Sequence, residues 1–251
     1  MIRVAAVADI HAGTDSAGTL KPAFAGIEEK ADVLLIAGDL TRVGAPEEAK
    51  ILADELRDTP VPIVAVLGNH DHHTGRDREV TAILADAGVV MLEGHATVVP
   101  VNGSRLGVAG VKGFGGGFAG ACASAFGEPE MKVFVEHTRR TAEQLEHSLA
   151  SLDTDARVAL VHYAPIPDTL EGERLEIYPF LGSYLLGEAI DRAGADLAVH
   201  GHAHAGTEKG ATATGIPVRN VAMPVIGDAY RVYCLGGAGE CADDATALAA
   251  R

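Results

Sequence analysis

Residues 63–71 read Ile-Val-Ala-Val-Leu-Gly-Asn-His-Asp. Five apolar residues, three of them β-branched, predict a strand covered on both faces. The run then ends in Gly68, Asn69, His70 and Asp71, which a packed core would not choose. The same device recurs on either side. Residues 3–11, Arg-Val-Ala-Ala-Val-Ala-Asp-Ile-His, finish on Asp9 and His11, and 33–39, Val-Leu-Leu-Ile-Ala-Gly-Asp, finish on Asp39. Downstream, 156–162 end in His162, and 197–204 run Leu-Ala-Val-His-Gly-His-Ala-His, carrying His202 and His204. In an open α/β sheet, ligands bind in the crevice beyond the carboxyl ends of the strands. Five strand ends delivering Asp, Asn and His to one rim therefore describe a site.

Outward from these strands, helix-like patterning covers 20–30, 46–57 and 76–87, with Pro46 suited to a first helical turn. A further strand is expected at 89–92. Residues 97–102 and 105–111 read as a hairpin around Asn102-Gly103. The glycines between 112 and 130 predict a mobile or tightly turned loop. A long helix is expected at 131–152, with Val135, Leu145, Leu149 and Leu152 buried, then strands at 156–161, 197–199, 218–221 and 231–235. Strands alternating with helices place the chain in the α/β class.

The 251 residues suffice for one large domain, read as 1–236, followed by an Ala-rich tail at 237–251 expected to be flexible. Hydrophobic residues at 47% and charged residues at 22% describe a globular chain rather than a disordered one. A formal net charge of −15 argues against grip on long nucleic-acid backbones. No apolar run is long enough for a membrane span, and the N-terminus enters a strand pattern without signal-peptide features. Cys122, Cys234 and Cys241 form no CxxC pair, which predicts free thiols in a reducing cytoplasm.

The ligand chemistry is that of a metal site without thiolates. Carboxylate, carboxamide and imidazole suit Mn²⁺, Fe or Zn²⁺. Gly38, Gly68 and Gly201 would let the backbone turn sharply beside the metals. In this order, Asp9-x-His11, Gly38-Asp39, Gly68-Asn69-His70-Asp71, His162 and Gly201-His202-x-His204 resemble the calcineurin-like metallophosphoesterase family across nearly the whole chain. Within it, the sequence is most similar to small bacterial enzymes of the cyclic-nucleotide phosphodiesterase type. Each fragment alone is common; the ordered set is specific.

The resemblance implies a central β-sandwich of two mixed sheets flanked by helices. It further implies one metal on Asp9, His11, Asp39 and His204, and a second on Asp39, Asn69, His162 and His202, with Asp39 bridging. Two such metals, at about 3.5–4 Å, share a water whose hydroxide attacks phosphorus in line. Asn69 and the metals would neutralise the phosphoryl oxygens, and His70, not a ligand, would protonate the leaving oxygen. Asp71 would hold the His70 tautomer. The implied substrate is a small phosphodiester, with a cyclic nucleotide as first candidate. A phosphomonoesterase or nucleotide pyrophosphatase using the same metals is the alternative, and a non-catalytic scaffold of the same fold a further one.

Plainer readings stand beside these. Asp and Asn favour turns at strand ends, and His162 alone would read as a core histidine. His72 and His73 fit a solvated loop, His200 a strand end or a support of the site, and His95, His137 and His147 the surface. The glycine-rich 113–118 run lacks the GK[ST] ending of a phosphate-cradling loop. It fits a lid or wall, with Phe114 and Phe118 stacking on a substrate or packing inward.

Overall fold

The structure, a computed structural model, describes residues 1–236; the expected tail at 237–251 lies outside them. In chain order its elements are β1 (Ile2–Val7), α1 (Leu20–Ala23), α2 (Ile27–Lys30), β2 (Val33–Ala37), α3 (Pro46–Leu56), β3 (Ile63–Val66) and α4 (Asp77–Asp86). There follow β4 (Val90–Met91), β5 (His95–Val101), β6 (Ser104–Val111), β7 (Gly117–Phe118), β8 (Ala121–Cys122), α5 (Pro129–Ala150) and β9 (Ala156–Val161). The last are α6 (Tyr178–Leu181), α7 (Tyr184–Ala193), β10 (Leu197–His200), β11 (Lys209–Ala211), β12 (Pro217–Asn220), α8 (Met223–Ile226) and β13 (Arg231–Leu235).

The apolar strands assemble into two mixed sheets. The first has the order β13-β1-β2-β3-β4, parallel throughout except at β13. The second has the order β11-β12-β10-β9-β6-β5, with parallel strands inside and antiparallel strands at both edges. Period-two alternation fixes how they stack. Leu106, Val108, Val158, Leu160, Leu197 and Val199 share a core with Val4, Leu34, Ile36 and Val64 of the first sheet. The intervening Ala109, Val111, Ala159, Val161 and Ala198 face the other way, onto Leu145 and Leu149 of α5 and Leu186 and Ile190 of α7. Leu52 and Leu56 of α3 and Val80 and Leu84 of α4 pack with the first sheet. The result is the β-sandwich flanked by helices that the family resemblance implied.

At one end the sheets are joined through backbone. Ala8 N–H donates to Val221 O at 2.8 Å, Val221 N–H to His200 O at 2.7 Å, and Met223 N–H to Ala8 O at 3.0 Å. That end carries the motif residues.

Several expectations are corrected. The helix expected at 20–30 is split into α1 and α2, with Gly26 between them at φ 73°. No element was expected in 163–196, where α6 and α7 form. The glycine-rich segment is tightly turned, closing the β7–β8 ribbon. Within it Phe118 is buried against Leu170, Leu181 and Ala203, and Phe114 packs on Phe134, His137 and Tyr163. Cys122 is free, but Cys234 is disulfide-bonded. Spacing along a chain does not reveal which sulfurs the fold brings together. Among the described residues no helix is long and apolar enough to cross a membrane.

Candidate metal centre

The strand ends turn by adopting backbone that most residues avoid. Asp9 (φ 59°), His11 (48°), Asp39 (49°) and His202 (70°) are all left-handed. Each such non-glycine residue costs of order 1–3 kcal/mol, and such strain gathers where the surroundings impose it for function. The left-handed step supplies the rotation that strand alternation alone would not give Asp9 and His11. Neighbouring glycines leave the space: a Cβ on Gly68 would strike the Asp39 carboxylate, one on Gly201 the Asp9 carboxylate, and one on Gly38 the His162 ring at 2.5 Å.

The side chains then converge from both sheets. Asp9, His11 and His204 bring one ligand atom each to within 4.8 Å of one another, as do Asp39, His162 and His202. Asp39 lies between these sets, with Oδ2 3.8 Å from His11 Nε2 and Oδ1 3.3 Å from His162 Nε2. Asn69 Oδ1 stands 3.0 Å from His162 Nε2. Every ligand expected from the sequence is therefore at this rim. His11, Asp39 and His70 form a third such set, which places His70 at the same centre.

Whether the residues fit a cation is decided by their donors and acceptors. The Ala37 carbonyl can only accept, so His162 Nδ1–H donates to it at 2.9 Å. In the neutral ring, Nε2 then turns a lone pair towards the Asp39 carboxylate, acceptor facing acceptor. Asp39 is 1% exposed, and a buried carboxylate without compensating charge is costly. A shared cation resolves both problems.

Electrostatics agree. Burial pushes the Asp9 carboxyl up, but the His204 hydrogen bond at 2.8 Å and the neighbouring imidazoles outweigh it, leaving Asp9 below the usual range. The Asp9 hydrogen bond raises His204. Desolvation lowers His11, and lowers His202 to about 3, so these rings offer lone pairs at neutral pH.

One expected role is corrected. Asp71 does not orient His70: its fully buried carboxylate accepts from Leu40 N–H, Thr41 N–H, Thr41 Oγ1–H and Gly68 N–H at 2.6–3.1 Å. It ties the loop after β2 to the loop after β3, a geometry that adjacency in sequence could not reveal. Desolvation raises the Asp71 carboxyl despite these bonds. The His70 ring is oriented by a backbone group, Nδ1–H donating to the Arg42 carbonyl at 2.7 Å. His70 and His204 side chains are 42% and 43% exposed, so the centre opens to solvent on their side.

Further residues support the rim. His200 is fully buried, with Nε2 2.8 Å from Thr169 Oγ1, and desolvation lowers it to about 4. Asn220 Nδ2–H donates to Ala203 O at 2.8 Å, pinning the loop that carries His202 and His204. No motif marked Asn220 or Thr169, and both lie far from their partners in sequence. Tyr163, adjacent to His162, packs its ring 4.4 Å from that of His202.

The family model for calcineurin-like phosphoesterases matches residues 2–206. The chain belongs to the calcineurin-like phosphoesterase family. It is accordingly a metal-dependent phosphoester hydrolase whose Asp and His clusters could hold metal ions. A search of curated proteins finds no match. Among solved structures, it is similar to the phosphopantetheinyl hydrolase of Mycobacterium tuberculosis. That match has TM-score 0.65 and 17% identity, covering 93% of this chain and 98% of that one. It is also similar to a putative 5′-nucleotidase of Staphylococcus aureus, with TM-score 0.56 and 16% identity, covering 87% of this chain and 48% of that one. At such identities the likeness is one of fold.

Proposed function

We propose that the chain hydrolyses small phosphodiesters, a cyclic nucleotide being the first candidate, at two divalent metal ions. Mn²⁺ and Fe suit the ligands, with Zn²⁺ as the alternative. Asp9, His11, Asp39 and His204 hold one ion; Asp39, Asn69, His162 and His202 hold the other. The observation that carries this reading is Asp39, buried at the join between two imidazole sets that face it from both sheets.

When bound, the metals supply an activated water and offset charge on the phosphoryl oxygens. The chain's own groups do the rest. The Asn69 carboxamide, beside His162 Nε2, helps position the substrate oxygens. His70 also faces the substrate, its Nε2 3.9 Å from Asp39 Oδ2 at the centre while Nδ1–H stays on Arg42 O. As imidazolium, its Nε2–H reaches the leaving oxygen and protonates it. Asp71 keeps both loops in register for this.

Turnover of bis-p-nitrophenyl phosphate and p-nitrophenyl phosphate by Mn²⁺-loaded protein tests the reading. Faster diester cleavage is expected. Faster monoester cleavage would favour a phosphomonoesterase, and no turnover of either after reconstitution with Mn²⁺, Fe²⁺ and Zn²⁺ would favour a scaffold.

A further inference from the structure

Lys112 follows β6 and stands at the rim, although no sequence motif marks it. Its backbone carbonyl accepts from His162 N–H and Tyr163 N–H at 3.0 and 3.1 Å, so its position is fixed relative to a candidate ligand. The side chain is partly buried, and its Nζ lies 5.1 Å over the Phe114 ring and 5.1 Å over the Tyr163 ring. Two aromatic faces hold a cation in place without neutralising it. The hydrogen-bond acceptor of Nζ is the neutral Gly113 carbonyl at 3.2 Å. Glu93, the neighbouring acid, turns its carboxylate to the N–H groups of Leu67 and Lys112 at 3.2 and 3.5 Å. Among the described residues no carboxylate forms an ion pair with Nζ. An ammonium has three donors, and two are left here. The same Tyr163 ring lies 4.4 Å from that of His202, at the metal centre. Tyr163 therefore touches both an ammonium that no carboxylate pairs directly and a candidate ligand.

We propose that Lys112 binds a second anionic group of the substrate, beside the scissile phosphodiester. The substrate class is then a phosphodiester bearing a further phosphate or carboxylate, rather than one with a single charge. Phe114 and Tyr163 are the positioning groups for this ammonium, which gives the glycine-rich segment a part in specificity. This rests on the phosphodiesterase reading above and refines it.

A matched pair of esters tests it: thymidine 5′-(p-nitrophenyl phosphate) and its 3′-phosphorylated counterpart, with Mn²⁺. The unmodified enzyme is expected to show the lower KM for the 3′-phosphorylated ester. Lys112→Met keeps the apolar stem between the rings. It should raise that KM about tenfold, the effect of losing one charge-assisted hydrogen bond, and leave kcat unchanged. The KM for the other ester should stay within about twofold, and Lys112→Arg should restore most of the preference. Equal shifts for the two esters, or no preference in the unmodified enzyme, would overturn the proposal. Calorimetric titration with thymidine 3′,5′-bisphosphate and thymidine 5′-monophosphate separates this from failure of catalysis. If neither ester is cleaved but the bisphosphate binds more tightly and Lys112→Met removes the difference, the phosphodiesterase reading falls and Lys112 keeps its role. If the esters are cleaved and Lys112→Met binds both nucleotides as the unmodified enzyme does, Lys112 loses it.

Discussion

At the scale of single residues, Asp39 and His70 share a contact but separate two roles. Asp39 Oδ1 accepts from the His70 backbone N–H at 2.9 Å, while its two oxygens face His162 and His11. Asp39→Ala should therefore lose bound metal and activity together. His70→Ala removes the ring without removing a proposed ligand. It should retain metal near the unmodified stoichiometry and lose turnover by roughly 10²–10⁴-fold, the usual weight of a general acid. Metal analysis alongside phosphodiester kinetics on the same preparations checks both. Normal turnover by the His70 variant, or metal loss from it, would remove its role as acid. The side chains of this centre were legible from sequence because Asp, Asn and His at the ends of apolar runs have few other reasons to be there. The group that orients His70 was not. It is the Arg42 carbonyl, and a backbone atom carries no residue code.

Secondary structure was legible wherever one periodicity dominated. Strands β1, β2, β3, β9 and β10 are near-continuous apolar runs, and the β5–β6 hairpin follows from Asn102-Gly103, both at positive φ. Helix α7 had its signals too: Ser183 accepting from Leu185 N–H, Leu186 and Ile190 buried four apart, and Gly194 after the last turn. They sit in a segment full of glycine, proline and turns, where local order is set by packing on β9 and β10. Among the elements, the start of β1 is secured by one acid. Asp32, just before β2, accepts from Arg3 N–H and from the Arg3 guanidinium, each at 2.8 Å. Burial pushes the Asp32 carboxyl up, but the Arg3 hydrogen bonds and charge outweigh it and hold it below the usual range. With the folded pKa depressed, this stabilisation is present above the ordinary carboxylate pKa and is lost as pH falls through the folded value. Asp32→Ala should cost about 1–2 kcal/mol at neutral pH, discounted for the half-exposed arginine. Urea unfolding at pH 7 and at pH 3 measures it. A cost that grew on acidification would mean that the carboxylate charge is not what secures the strand.

For the molecule as a whole, the centre is the place where two sheets are obliged to meet. Asp9, His11, Asp39 and Asn69 follow strands of the first sheet; His162, His202 and His204 follow strands of the second. Each proposed ion thus takes ligands from both, and binding it ties the sandwich across its open end, where backbone bonds at Ala8, Val221 and Met223 already join the layers. Without the ions, the Asp39 carboxylate stays buried against the His162 ring nitrogen at that join. Because the unfolded chain does not assemble these ligands, an ion held at a hundred times its Kd should stabilise the native state by about 2.7 kcal/mol. For a domain of this size that is a rise in Tm of roughly 5–10 °C. Calorimetric melting with EDTA, then with Mn²⁺ restored, should show the shift and its reversal. His202→Ala should reduce it by removing a second-sheet ligand, whereas Lys112→Met should leave it intact. A melting temperature indifferent to Mn²⁺ in the unmodified protein would show that the acids and imidazoles at this rim do not bind metal across the two sheets.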